Sequence, residues 1–166
     1  IQDIHSVKRQ ITAHRGGGTI AVNGHNIKLG RGGIREIEFF TQTQQLIWGG
    51  RSPALRSQNL ESVLDALVEH DRIGHDTATD LLASYRYLRR IEHRLQMIDD
   101  KQTHELPKTD EKVEEIAVFA GYPDGAAFRE ELIENLQRVE RHYAALFEDS
   151  QDLGAQGSLV FTGNEL

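Results

Sequence analysis

The sequence has no cysteine, which excludes a disulfide frame, a thiolate zinc site and cysteine catalysis. No run of residues is apolar and long enough to cross a bilayer, and no secretory signal pattern is visible. The reading is a soluble, cytoplasmic protein with no membrane partner. Only three prolines interrupt 166 residues, so long helical stretches are free to form. Internal repeats and low-complexity segments are absent, and the length suits one domain with appendages. Acid is scarce at the start: residues 1–60 carry eight Lys/Arg against three Asp/Glu, while residues 61–166 carry 11 against 23, for a net charge of −7. An acidic body argues against coating a nucleic acid. The basic third suits a local patch facing a nucleotide or an acidic partner surface, or is ordinary helix surface chemistry. The chain opens at Ile1 directly into a helical pattern, so a fragment of a longer chain is expected.

What is present is mostly helical periodicity. Ile4, Val7, Lys8 and Ile11 predict a first helix over 2–14, stopped by Gly16-Gly17-Gly18. Thr19–Val22 and Asn26–Leu29 alternate around Asn23-Gly24 and predict a β-hairpin. From Ile34 a helix runs to Trp48, apolar on two sides, with Ile34, Ile37, Phe40, Ile47 and Trp48 on one and Phe39 and Leu46 on another. It is therefore expected to be central to the packing. Asn59 caps a short helix closed by Gly74. The longest pattern, Leu81 to Ile98, continues unbroken to Asp100. Thr109 or Asp110 opens a helix ended by Gly121-Tyr122-Pro123, and Asp124 opens the last, whose pattern dissolves after Ser150. The predicted fold is all-α, an antiparallel up-and-down bundle of four main helices plus short extra ones, with a small N-terminal hairpin. Its divisions are residues 1–30 (helix and hairpin), 31–150 (bundle) and 151–166 (the start of a linker).

Three constellations are chemically notable. Gly30, Gly32 and Gly33 form a turn just before a helix, ringed by Lys28, Arg31 and Arg35. Free amides and the dipole at such a helix start can hold a phosphate or carboxylate; equally, the glycines let a neighbouring domain come close. The motif lacks the endings of a P-loop or a dinucleotide fingerprint. Next, Arg35, Glu38, Gln42 and Gln45 make one polar stripe on the helix that follows. The stripe is either a cleft wall contacting substrate or an Arg35–Glu38 pair with buried amides satisfied by loops. Last, Arg86, Arg89, Arg90 and His93 share a face of the long helix, with Arg94 beside it. That face is solvated or meets a phosphate-bearing partner. His104 is expected to bond nearby carbonyls at a helix end. No metal-ligand spacing, nucleophile elbow or paired Asp-x-Asp is found, so the chain alone is not expected to be catalytic.

The runs Ile27-Lys-Leu-Gly-Arg-Gly-Gly-Ile-Arg-Glu-Ile-Glu-Phe-Phe, Gln45-Leu-Ile-Trp-Gly-Gly-Arg-Ser-Pro-Ala-Leu, Tyr87-Leu-Arg-Arg-Ile-Glu-His-Arg-Leu-Gln and Gln102-Thr-His-Glu-Leu-Pro closely resemble one family. It is the bifunctional glutamine synthetase adenylyltransferase/adenylyl-removing enzymes; the related PII uridylyltransferase has a looser version of the same region. In that family each half has a polymerase-β-like nucleotidyltransferase domain followed by a helical bundle that begins with this glycine motif. The resemblance implies the bundle of the first, deadenylylating half, lacking the metal-binding carboxylates upstream. The implied chemistry is phosphorolysis of an adenylylated tyrosine on glutamine synthetase, with the opposing adenylyl transfer in the other half. Mg2+ and ATP/ADP are implied for the whole enzyme and none for this fragment.

The implied partners are glutamine synthetase, the PII protein and the upstream nucleotidyltransferase domain, with no nucleic acid. On this reading Lys28, Arg31 and Arg35 face phosphates or the catalytic domain across Gly30, Gly32 and Gly33, and Glu38 orients Arg35. The rival expectation is a regulatory module that binds PII or glutamine synthetase through Arg86, Arg89, Arg90 and His93. A bundle that merely spaces the two halves is the third.

Overall fold

The computed structural model describes residues 19–99 and 103–155. The helix expected over 2–14 and the linker stretch beyond residue 155 lie outside them. Among the described residues five α-helices follow one another: α1 (Ile34–Trp48), α2 (Leu60–Glu69), α3 (His75–Asp99), α4 (Asp110–Phe119) and α5 (Gly125–Ala155), with a 3-10 turn at Pro53–Arg56 between α1 and α2. The last helix continues past Ser150 to Ala155. The apolar period does end there, but one glycine in a helix costs only about 1 kcal/mol.

Apolar spacing sets the packing. Ile34, Ile37 and Phe40 of α1 join Leu81, Leu88, Ile91 and Leu95 of α3, Val113 and Ile116 of α4, and Phe128, Leu132, Leu136 and Val139 of α5 in one core. Each such side chain stabilises by roughly 1.5–3 kcal/mol when fully buried. As expected, α1 is central, touching α2, α3 and α5. Its C-terminal end is not: Leu46 is 77% and Ile47 42% exposed. Contacts between α3 and α5 pair Asp80 with His142 and Ser84 with Asn135, so the two helices run in opposite directions. A smaller core of Leu55, Val63, Ala66 and Leu67, flanked by Trp48, pins the 3-10 turn to α2.

Two boundaries differ from the sequence reading. Gly74 does not close α2. Asp71 does, with a left-handed φ of 54°, while the amides of Asp71 and Arg72 return to the carbonyls of Val68 and Leu67. This is the arrangement Gly121 makes after α4, where Gly121 and Tyr122 bond back to Val118 and Ala117. The expected hairpin is replaced by a different pairing. Asn26 Oδ1 accepts from the amides of Lys28 and Leu29, which curls that segment into a turn. Residues 24–27 instead lie antiparallel to 104–107: Gly24 N donates to Pro107 O, Ile27 N to His104 O and Leu106 N to His25 O. The only β-bridge among the described residues joins Asn26 to Glu105.

Candidate functional site

The glycine turn is a closed joint. The amides that should be free at the start of α1 are taken by the chain itself: Ile34 N donates to Ile27 O at 3.0 Å, Arg35 N to Lys28 O at 2.9 Å and Glu36 N to Gly33 O at 3.1 Å. The carboxylate of Glu36, 4% exposed, folds back to accept from Gly32 N at 3.0 Å. A negative charge therefore already occupies the positive end of the helix dipole. Sequence reasoning passed over Glu36, although its place in the first helical turn is where an acid reaches back to the entering chain.

The glycines serve close approach. Gly32 has φ 73°, and a Cβ there would lie 2.1 Å from Leu136 O of α5; one at Gly33 would lie 2.7 Å from Ile27 O. The neighbour that comes close is thus this chain's own last helix. Arg31 Nε pairs with Glu140 of α5 at 2.7 Å, and the ring of His25 donates through Nε2–H to Arg31 O at 3.1 Å. Burial pushes the His25 imidazole below its usual pKa, which keeps it neutral in this role.

The polar stripe does form a cleft wall. Arg35, Glu38, Gln42 and Gln45 line a cleft of about 810 Å³, closed on its other sides by the Arg56–Asn59 loop, the start of α2, and Tyr85 and Arg86 of α3. The alternative of an Arg35–Glu38 pair with amides satisfied by loops holds in part. Arg35 Nη1 bonds Glu38 at 3.2 Å, and the Gln45 amide donates to Leu55 O and Ser57 O at 2.7 and 2.8 Å, holding the loop in place. Arg56, which the sequence reading had not singled out, braces the loop by donating to Gly49 O and Gly50 O. Asn59 caps α2 as expected, Oδ1 accepting from Ser62 N. Lys28, half-buried, lies in the glycine turn.

The arginine face does not act as one patch. Arg86 turns into the cleft and pairs with Glu61 of α2 at 2.7 Å. Arg89 pairs with Glu92, whose side chain is 1% exposed. Arg90 and His93 remain exposed, the guanidinium of Arg90 lying 5.9 Å from the Tyr87 ring. His104 departs from expectation. Its Nδ1 stands 2.8 Å from the other oxygen of Glu92 without forming a hydrogen bond. Glu92 and His104 lie in two of the sequence runs quoted above, and their contact ties α3 to the segment that holds the glycine turn. Among the described residues no three His, Asp or Glu side chains converge as metal ligands, and no helix is long and apolar enough to cross a membrane.

Comparison with known proteins agrees with the motifs. A family model described as GlnD PII-uridylyltransferase matches residues 5–147. The chain is 55% identical over 166 residues to the bifunctional glutamine synthetase adenylyltransferase/adenylyl-removing enzyme of Rhizobium meliloti (strain 1021), covering 99% of this chain and 17% of that protein. It is 56% identical over the same shares to the enzyme of that name in Agrobacterium fabrum (strain C58). For that of Xanthobacter autotrophicus (strain Py2) the identity is 54%, over 90% of this chain and 15% of the relative. The chain therefore spans 17% of the length of the first two relatives. It belongs to the GlnD PII-uridylyltransferase family, and to the region of it that the bifunctional glutamine synthetase adenylyltransferase/adenylyl-removing enzymes carry.

Proposed function

We propose that this chain is the helical domain that follows the deadenylylating nucleotidyltransferase domain of such an enzyme. It shapes that neighbour's nucleotide cleft and supplies no catalytic group of its own. The whole enzyme would adenylylate a tyrosine of glutamine synthetase and remove the adenylyl group by phosphorolysis, in the cytoplasm, with PII as its regulator. Mg2+ and ATP/ADP would be held by the neighbouring domain. The helices would form an antiparallel up-and-down bundle, with residues 1–30 leading in from the upstream domain and 151–166 leading out.

One observation carries the reading: the stripe Arg35–Glu38–Gln42–Gln45 and Arg86 converge on one polar cleft beside the glycine turn. With the backbone amides of that turn already bonded, any contact with phosphate or with the catalytic domain falls to the side chains of Lys28, Arg31 and Arg35. Glu38 holds Arg35 in position. Arg35→Ala and Lys28→Ala in the full enzyme, assayed for phosphorolysis, test this. A fall in kcat or a rise in KM of about tenfold is expected for loss of a charge-assisted contact; unchanged values remove the idea.

The regulatory reading retains one specific support, the exposure of Arg90 and His93 beside Arg94. Calorimetric titration of the chain with PII separates the two: heat that disappears in Arg90→Ala favours docking, and no heat favours the interdomain role.

A further inference from the structure

A second cavity lies away from the cleft, between the C-terminal end of α3 and α4. It measures about 530 Å³, has Leu95, Ile98, Pro107 and Ile116 as its apolar lining, and shares no residue with the cleft on α1. Ile98 is 47% exposed. Phe119, 43% exposed, continues the surface on the face of α4 that carries Lys112, Glu115 and Ile116. The charges around this groove cancel, Lys108 and Lys112 against Glu105 and Glu115. Its attraction is therefore for apolar side chains.

Two terminal stretches of the chain lie outside the described residues, and reach decides which of them can cover the groove. The tail cannot. α5 runs antiparallel to α3, with His142 level with Asp80. From Ile98 back to Asp80 is about 27 Å along α3, and from His142 on to Ala155 about 20 Å more along α5. Residues 156–166, fully extended, span at most about 40 Å, which falls short of that sum. The head starts beside the groove. Asn23 Nδ2 donates to Lys108 O at 3.2 Å and to Asp110 Oδ1 at 2.8 Å, and Gly24 N to Pro107 O at 3.0 Å. Pro107 and Lys108 are groove wall, and the described chain begins at Thr19, close before Asn23.

The sequence of the head suits the lining. Ile4, Val7 and Ile11 recur at helical spacing and make one apolar stripe, with Lys8 and Arg9 beside it. Gly16-Gly17-Gly18 supplies a joint between that stripe and Thr19. A helix over 2–14 would be about 20 Å long, enough to pass the groove and Phe119. So short a tether presents it at an effective concentration on the order of millimolar. We propose that residues 1–15 dock as an amphipathic helix in the groove between α3 and α4. The helix runs antiparallel to α4, with Ile11 over Ile116 and with Val7 and Ile4 towards Ile98 and Phe119. No residue of the α1 cleft takes part, so this docking and the proposed function fail separately.

The chain has no cysteine, so one introduced thiol carries one spin label. In the isotope-labelled 166-residue chain, a nitroxide at Lys112→Cys, an exposed position on the groove, should strip most of the intensity from the amide signals of Val7 and Ile11. One at the exposed Asp76→Cys, roughly 33 Å from Ile98 along α3, should leave them intact. Ile4→Glu combined with Val7→Glu should restore the Ile11 signal beside the Lys112→Cys label, while circular dichroism confirms that the described helices still melt together. A mixture of spin-labelled chain and separate isotope-labelled chain should show no loss, because the contact lies within one molecule. Intact signals beside the Lys112→Cys label, equal loss from both labels, loss that survives the two glutamates, or loss in the mixture would each overturn the proposal. The last would make the groove an interface between two copies.

Discussion

The glycine turn and the polar cleft that begins at Arg35 are neighbours on α1, and they use polar groups in different ways. At the turn it is the backbone that faces inward: the first amides of α1 meet carbonyls of the entering chain and Gly32 N meets the buried Glu36, while Arg31, 43% exposed, pairs with Glu140 at the surface. In the cleft it is side chains that are presented: Arg35, Gln42 and Arg86 stand exposed. Glycines next to cations are therefore no guide to a ligand unless the amides they release stay free. Here the glycines let α1 and α5 touch.

Substitutions sharpen the contrast, beginning where the effect should be greatest. Gly32→Ala places a methyl against Leu136 O and forces a left-handed φ on an L-residue. Together overpacking and strain should cost about 3 kcal/mol in urea denaturation. Gly50→Ala just beyond the end of α1, where a Cβ meets nothing within 4 Å, should stay within about 0.5 kcal/mol. Next, Glu92→Ala removes the buried carboxylate between Arg89 and His104. A fully buried pair would lose about 3–5 kcal/mol; with Arg89 41% exposed, about 2 kcal/mol is the expectation after allowing for solvent. The loosened 103–107 segment should show faster hydrogen exchange at Ile27, whose amide bonds His104 O.

Alkali acts on a third place. The hydroxyls of Tyr122 and Tyr87 meet at 3.2 Å. Burial, then the bond to Tyr122, raises the Tyr87 phenol far above its usual range, and burial, then a bond to Glu131, pushes Tyr122 up to about 12. Below pH 10 the folded and unfolded chains bind the same protons at these sites. As pH rises from 10 towards 12 only the unfolded chain releases them, so stability is lost. The melting temperature should fall across that window, and less steeply in the Tyr87→Phe, Tyr122→Phe double variant. The smallest effect belongs to Asp71→Gly, which relieves a left-handed φ at the end of α2. The gain should be about 0.5 kcal/mol once glycine's greater freedom in the unfolded chain is counted.

The helices were legible because their apolar period, their caps and the Gly121 stop are local properties. Asn59 and the polar stripe were placed correctly for that reason. The hairpin failed because alternation over four residues carries no information about partner. Asn26 spends its side chain on two amides of its own turn, and the strand-like piece finds residues 104–107, almost 80 positions away. The arginine face was legible only in part: spacing gave the shared face, and packing alone brought Glu61 of α2 to Arg86 and buried Glu92, three residues from Arg89. Arg56 left no signal, since its role depends on the path of the loop it braces.

Hydrogen exchange at Ile34, Arg35 and Glu36 tests most directly whether the glycine turn is a joint and not an anion site. The account predicts that these amides are protected to the level of the α1 interior in phosphate-free buffer and are unmoved by excess inorganic phosphate or ATP. Rapid exchange without phosphate, slowing when phosphate is added, would contradict it.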